Sequence, residues 1–268
     1  MGTLITIGDH NWTAYAQAPS GHEKGLVPRD LAVHPPGFLE ASGVSEPFSL
    51  PLIDEAEWPE RIADQEARKS SLQHIRDTCG PGNGQMPSLD QDGYGYCWNH
   101  STTSSVMLLR GKQMQPYVLL SAFAVGCMVK NYRNEGGYGG ESLDFSVKTG
   151  IPSAEFWPIK STSRSNDNPN TWANAALHKV VKWWECSSNP NTRRQQVATA
   201  LLLGLPVIAD FNWWGHSVCL IRLMSKTITR LINSWSDSWS DHGVGDLEGG
   251  KAWPDDAWVP CVPTSSLV

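Results

Sequence analysis

The chain has 268 residues and a mass of 29.5 kDa, room for one large domain or for a domain with a substantial extension. Apolar residues make up 40% and charged residues 18%, with 24 Gly and 18 Pro, a balance that excludes a disordered chain. A formal charge of −6 and a pI near 5.7 provide no basic surface for phosphate backbones or anionic membranes, so neither nucleic acid nor membrane is an expected partner.

The opening Met1–His10 carries no basic run followed by an apolar stretch, and no membrane-length apolar segment follows. The expected location is the cytoplasm, or a virion if the chain is phage-encoded. Cys79, Cys97, Cys127, Cys186, Cys219 and Cys261 form no C-x-x-C pair, which argues against structural zinc and against a redox dithiol. The compositional oddity is 13 tryptophans.

In chain order, half of the prolines fall in the first 90 residues and mark irregular, surface-hugging chain. One helix is expected there, Pro59 to Thr78, with proline in its first turn and Gly80-Pro81-Gly82 as its stop. After the Gly93/Gly95 loop, Cys97 to Leu109 reads as a helix of small residues that can pack closely on its neighbours. Leu120 to Lys130 and Glu141 to Thr149 follow as helices, the latter after a glycine-dense loop. Ala173, Leu177, Val180 and Trp184 suggest a fourth amphipathic helix. Beyond residue 205 the period becomes that of strands, at Pro206–Phe211, Ser217–Leu223 and Thr227–Asn233. Helices first and strands later imply an α+β fold.

A hairpin turning at Met224-Ser225-Lys226 would set His216 opposite Asn233, close enough for the amide to orient the imidazole. The same two residues could equally be plain features of a strand edge. Cys97, in the first turn of a helix after a glycine loop, sits where unpaired N–H groups and the helix dipole favour a thiolate. The other five cysteines read as small buried hydrophobes or loop residues.

Gln91-Asp-Gly-Tyr-Gly-Tyr-Cys97-Trp98 resembles the active-site segment of the papain family, in which a glutamine precedes Cys-Trp by six positions. Gly215-His216-Ser217-Val218 is similar to the family's histidine strand, Asn233-Ser234-Trp235 to its Asn-Ser-Trp, and Ser238 to Gly243 to the continuation after it. Tyr138-Gly139-Gly140 looks like the cleft-lining Asn-Gly-Gly. The matches occur in the family's order between about residues 86 and 247. Tyr94 and Gly137 stand where two cysteines usually pair, so that disulfide is missing, and Gly215 replaces the usual polar residue before the histidine.

The resemblance implies a papain-like fold, a helical left lobe and an antiparallel β right lobe with the cleft between them. It implies a cysteine endopeptidase working through a thioester, with Cys97 as nucleophile, His216 as acid/base, Asn233 as orienter and Gln91 as oxyanion donor beside the Cys97 N–H. Tyr138, Gly139, Gly140 and Trp235 would line the substrate site, the partner would be a protein or peptide substrate, and neither cofactor nor metal is implied. A non-catalytic binding or virion-structural module, and a transpeptidase or cell-wall amidase with the same triad, are the alternatives. Residues 86–268 would form the catalytic domain. Residues 1–85 would be an N-terminal extension, either an integral wrap, the preferred reading, or a removable propeptide. Leu26-Val-Pro-Arg-Asp-Leu31 and Trp58-Pro-Glu-Arg61 look similar to the openings of divergent bacterial and phage members. Trp98, Trp213, Trp214, Trp235 and Trp239 lie close in sequence to Cys97, His216 or Asn233, which suggests an aromatic enclosure for the site.

Overall fold

The computed structural model describes residues 2–35 and 45–262. In chain order the elements are β1 (Ile5–Ile7), α1 (Trp12–Tyr15), β2 (Ser45–Pro47), α2 (Trp58–Ala67), α3 (Leu72–Arg76), α4 (Cys97–Lys112), α5 (Ala122–Val129) and α6 (Gly139–Lys148). Then come α7 (Pro169–Ala175), β3 (Lys182–Glu185), α8 (Pro190–Leu202), β4 (Val207–Phe211), β5 (His216–Ser225), β6 (Ile228–Ile232), β7 (Val244–Glu248) and β8 (Asp256–Cys261). The strands form one sheet in the order β1-β7-β6-β5-β4-β8-β3-β2. Its inner pairs, β6–β7, β5–β6, β4–β5, β4–β8 and β3–β8, are antiparallel. The outermost strands β1 and β2 come from the first 50 residues and pair in parallel with β7 and β3.

The middle of the sheet is covered on both faces, which is why β4 and most of β5 are buried without interruption. Val207, Ala209, Phe211, Val218 and Leu220 pack with Trp58 of α2 and Val197 and Leu201 of α8. The alternate residues Ile208, Cys219 and Ile221 pack with Val106 and Leu108 of α4. This period of two delivers one set of side chains to each layer.

Three sequence expectations change. The helix over Pro59–Thr78 is two helices, broken at Lys69, whose φ is +52°. The break lets the chain move between cores: Trp58 of α2 is buried beside α8, whereas Leu72 of α3 is buried in the layer of α4. Gln65 pins α2 to α8 by donating to the Leu201 and Leu202 carbonyls, both at 2.9 Å. Second, the pattern through Trp184 is not one helix. α7 ends at Ala175, and Trp183 and Trp184 lie on β3, where buried and half-buried residues alternate. Cys186 accordingly follows a strand and is not helical. Third, α8 was hidden because Val197 opens its apolar stretch only halfway along. Its start is legible, since Asn189 Oδ1 accepts the Asn191 and Thr192 N–H groups and Pro190 occupies the first helical position.

Candidate active site between the two lobes

α4 carries Cys97 at its first position and buries every residue from Cys97 to Leu109. So polar a helix can be buried because its hydroxyls bond back along it: Ser101 and Thr102 to the Trp98 carbonyl, Thr103 to Asn99 and Ser105 to Ser101. The residues spaced by four, Cys97, Ser101 and Ser105, face β5. Ser101 Oγ meets Ser217 Oγ at 2.9 Å, Ser105 Oγ meets Cys219 Sγ at 3.2 Å, and the Ser217 N–H is directed at Cys97 Sγ. The small side chains thus set the nucleophile candidate against the residue next to His216.

His216 Nε2 and Asn233 Oδ1 are 2.7 Å apart. They do not oppose each other across the hairpin as expected. Pairings of Ser225 with Ile228, Leu223 with Thr229 and Cys219 with Ile232 show the register drifting along the ladder, with irregularities between Leu220 and Arg222 and between Leu223 and Ser225. Two bulges shift one strand past the other, and Asn233 reaches His216 from beyond the end of β6. Trp235 stacks on the imidazole at 4.5 Å between centroids, and Trp214 closes on both edge-on. Trp213 stacks on Trp214 and Trp239 abuts Trp235, whereas Trp98 lies apart under Lys130.

Gln91 is fully buried. Its Oε1 accepts the Ser234 hydroxyl, which leaves Nε2 as the outward donor. That donor is occupied by the chain itself: Nε2 donates to the Glu23 carbonyl at 2.9 Å and to the Tyr94 carbonyl at 2.7 Å. Residues Glu23 to Val27 run as a strap through the groove between the lobes. Trp235 Nε1 also reaches the Glu23 carbonyl, at 3.4 Å, and the Gly25 N–H is directed at Cys97 Sγ. Gly137 N donates to the Gly25 carbonyl at 2.9 Å and Val27 N to the Gly137 carbonyl at 3.0 Å, a parallel bridge centred on Leu26. Only glycine fits at position 25, since a Cβ there would lie 1.9 Å from the Gly95 carbonyl oxygen.

The backbone edge offered to the strap is therefore Gly137, and the expected lining set changes. Gly139 and Gly140 begin α6 and are buried, and Gly139 N donates to Asp210 Oδ2 at 3.2 Å. Tyr138 caps that helix and lies against the Trp258 ring. Nor does Gly137 face the Tyr94 loop as the missing-disulfide reading supposed; Asn134 does. Its Oδ1 accepts the Gly95 N–H at 2.7 Å and its Nδ2 donates to the Gly93 carbonyl at 3.0 Å, an amide clamp between the two loops. All six cysteines are free.

Cys97 and His216 are sealed from water, and burial dominates their electrostatics. It pushes the Cys97 thiol up to about 12, with the Asp210 charge adding to the rise and N–H groups of Ser217, Gly25 and Trp98 opposing it. It pushes His216 down to about 3, helped by Lys24 of the strap and opposed by the Asn233 hydrogen bond. At neutral pH the closed cleft holds a thiol and a neutral imidazole. Sequence reading missed Glu23, Gly25 and Asn134, and named Gly137 only as the place of an absent cysteine. The Gly136-Gly137 doublet was the visible signal for the cleft edge, whereas nothing local marks Gly25.

No family model matches the chain, and no curated protein matches it in sequence. Among solved structures it is similar to xylellain, a cysteine protease from Xylella fastidiosa, with a TM-score of 0.62 and 13% identity over 92% of this chain and 98% of that one. It is also similar to digestive procathepsin L 3 of Tenebrio molitor (TM-score 0.54, 15% identity, 87% and 88% covered). A third likeness is to the Carica candamarcensis cysteine protease CMS1MS2 in complex with E-64 (TM-score 0.50, 16% identity, 65% and 92% covered). The fold is papain-like, a mixed α+β arrangement of helices around one large sheet.

Proposed function

We propose that the protein is a cysteine endopeptidase in a latent form, its own residues Glu23 to Val27 lying where a substrate would lie. The observation that carries this reading is a peptide main chain laid across Cys97 with the Glu23 carbonyl on the Gln91 amide, in a cleft that also holds the His216–Asn233 pair. The strap evades attack by register. The carbonyl on Gln91 belongs to Glu23, whereas the amide on the sulfur belongs to Gly25, so the two contacts come from different peptide bonds.

With the strap displaced, water enters and the burial penalties on both groups fall. His216 Nδ1, which has no hydrogen-bond partner among the described residues, takes the Cys97 proton. The thiolate adds to a substrate carbonyl, and the oxyanion is held by Gln91 Nε2 and the Cys97 N–H. His216 then gives its proton to the departing amine, leaving a thioester that water hydrolyses with His216 as base. Asn233 holds the imidazole plane, and Trp235 covers that hydrogen bond from water.

Gly25→Ala tests this, because a methyl group cannot pass the Gly95 carbonyl and the strap must lift. The native chain should resist iodoacetamide at Cys97. The variant should be alkylated at Cys97 and should digest casein, and Cys97→Ala on that background should abolish digestion. Alkylation at Cys97 without cleavage of any peptide would favour the non-catalytic binding module instead.

A further inference from the structure

The loop that follows Asn233 is held in an unfavourable shape. Ser236, Ser240 and His242 all have φ in the left-handed region, at +64°, +52° and +52°. That conformation is costly for residues with a Cβ and persists only where the surroundings enforce it. The loop closes back on the His216–Asn233 pair, because the Asn233 N–H donates to the carbonyl of Gly243, the residue after His242, at 2.8 Å. Trp235, stacked on His216, belongs to the same loop.

A guanidinium from the N-terminal extension sits against this loop. Arg76, the last residue of α3, is 0% exposed. Its Nη2 donates to the His242 carbonyl at 2.6 Å and lies 3.6 Å from Asp237 Oδ1. Nε and Nη1 have no hydrogen-bond partner among the described residues, and burial pulls the group below its ordinary pKa, with the Asp237 charge opposing. A buried charge so thinly paired adds little to stability, since an apolar side chain of similar volume is commonly as good or better. What it does touch is the loop. The Arg76 backbone reaches the other wall: its carbonyl accepts the Met86 N–H at 2.7 Å, at the head of the segment that ends in Gln91. Two residues further, the Ser88 N–H donates to Asp237 Oδ1 at 2.8 Å and the Ser88 hydroxyl donates to the Asn233 carbonyl. Arg76, Ser88 and Asp237 thus lock the segment before Gln91 to the loop after Asn233.

We propose that Arg76 is a positioning residue: its guanidinium holds the left-handed loop 234–243 in place, so that Asn233 Oδ1 meets His216 Nε2 and Trp235 covers the pair. Arg76 lies ahead of residue 86, so the N-terminal extension supplies a working part of the catalytic unit and is not a removable propeptide. Its effect on turnover rests on the peptidase reading above, whereas its effect on the His216–Asn233 contact does not.

Arg76→Met, which keeps much of the volume and removes the donors, tests this in the full chain. In the native chain the His216 Nε2–H bonded to Asn233 should give a slowly exchanging downfield imidazole proton signal in NMR, identified by its loss in Asn233→Ala. Arg76→Met should shift that signal upfield or lose it to exchange, while the Tm is kept or raised. Arg222→Met, which empties a comparably buried pair with Glu66 of α2, should leave the signal in place. On the Gly25→Ala background, Arg76→Met should lower kcat roughly ten- to a hundredfold with KM little changed, since a misplaced imidazole acts on the chemical step. An unchanged imidazole signal in folded Arg76→Met overturns the proposal, whatever happens to activity. Loss of the signal only in step with the folded fraction overturns it too. A changed signal with no peptide cleaved by any variant leaves Arg76 as the holder of Asn233 and counts against the peptidase reading instead. Should Arg76→Met fail to fold, Arg76→Met with Asp237→Asn, which leaves no carboxylate unpaired and keeps an acceptor for the Ser88 N–H, carries the same readings.

Discussion

Gln91 shows how a single side chain is made directional. An amide can present either end, and here the Ser234 hydroxyl takes Oε1, so Nε2 is committed to the cleft. Ser234 follows Asn233, and the Ser234 N–H also donates to Asn233 Oδ1 at 2.8 Å, so the donor and the imidazole's partner are set by adjacent residues. On the Gly25→Ala background, Gln91→Ala should lower kcat by roughly 10²–10³-fold with little change in KM, the pattern for a donor that bonds the oxyanion more strongly than the ground state. Steady-state kinetics on a fluorogenic peptide reads this, and a rise in KM alone would assign Gln91 to substrate binding. Gly25 and Gly137 matter in the opposite way, through the absence of a side chain. A Cβ on Gly137 would lie 2.8 Å from the Trp98 ring and 2.3 Å from Glu141 Oε2, so the edge that pairs with the strap exists only as bare backbone.

At the scale of elements, α4 is the part on which the site depends. Its weak amphipathicity is a consequence of burial on all sides, and its serines serve as spacers that allow close approach to β5. Ser101→Leu should therefore destabilise by about 1–3 kcal/mol through overpacking against Ser217 and should also displace Cys97 from the Ser217 N–H. Urea titration would register the first effect as a lower midpoint at unchanged m. Peptidase activity falling further than the folded fraction would register the second. The hairpin of β5 and β6 depends on its irregularities in a similar way. A ladder without bulges would set His216 and Asn233 in another register, and the 2.7 Å contact exists because the strands slip.

At the scale of the molecule, the first 50 residues supply both outer strands of the sheet and the strap that closes the cleft. The strap is held at one end by Gln91 and Trp235 and at the other by Arg29 on Glu185 and Asp256. Arg29→Ala should therefore loosen it, and hydrogen exchange of residues 23–29, measured at one pH and corrected for the intrinsic chemical rate, should accelerate in that variant. Exchange that stays unchanged would place the hold elsewhere.

The papain-like architecture was legible in sequence because its signals are local. A cysteine at the start of a small-residue helix, alternating strands after residue 205 and a hairpin between His216 and Asn233 are all patterns over a few residues, and each has its element in the fold. The break at Lys69, the strand at Trp184 and the register slip between β5 and β6 were not legible, because each answers to which core a side chain joins, and cores are assembled from distant segments. The strap belongs to the same class. Gly25, Arg29 and Asp256 become meaningful only when segments more than two hundred residues apart share one groove, where Arg29 pairs with the Asp256 and Glu185 carboxylates. Residue chemistry along the chain determined which groups could react; the burial and juxtaposition imposed by tertiary packing decided that they are closed off and by what.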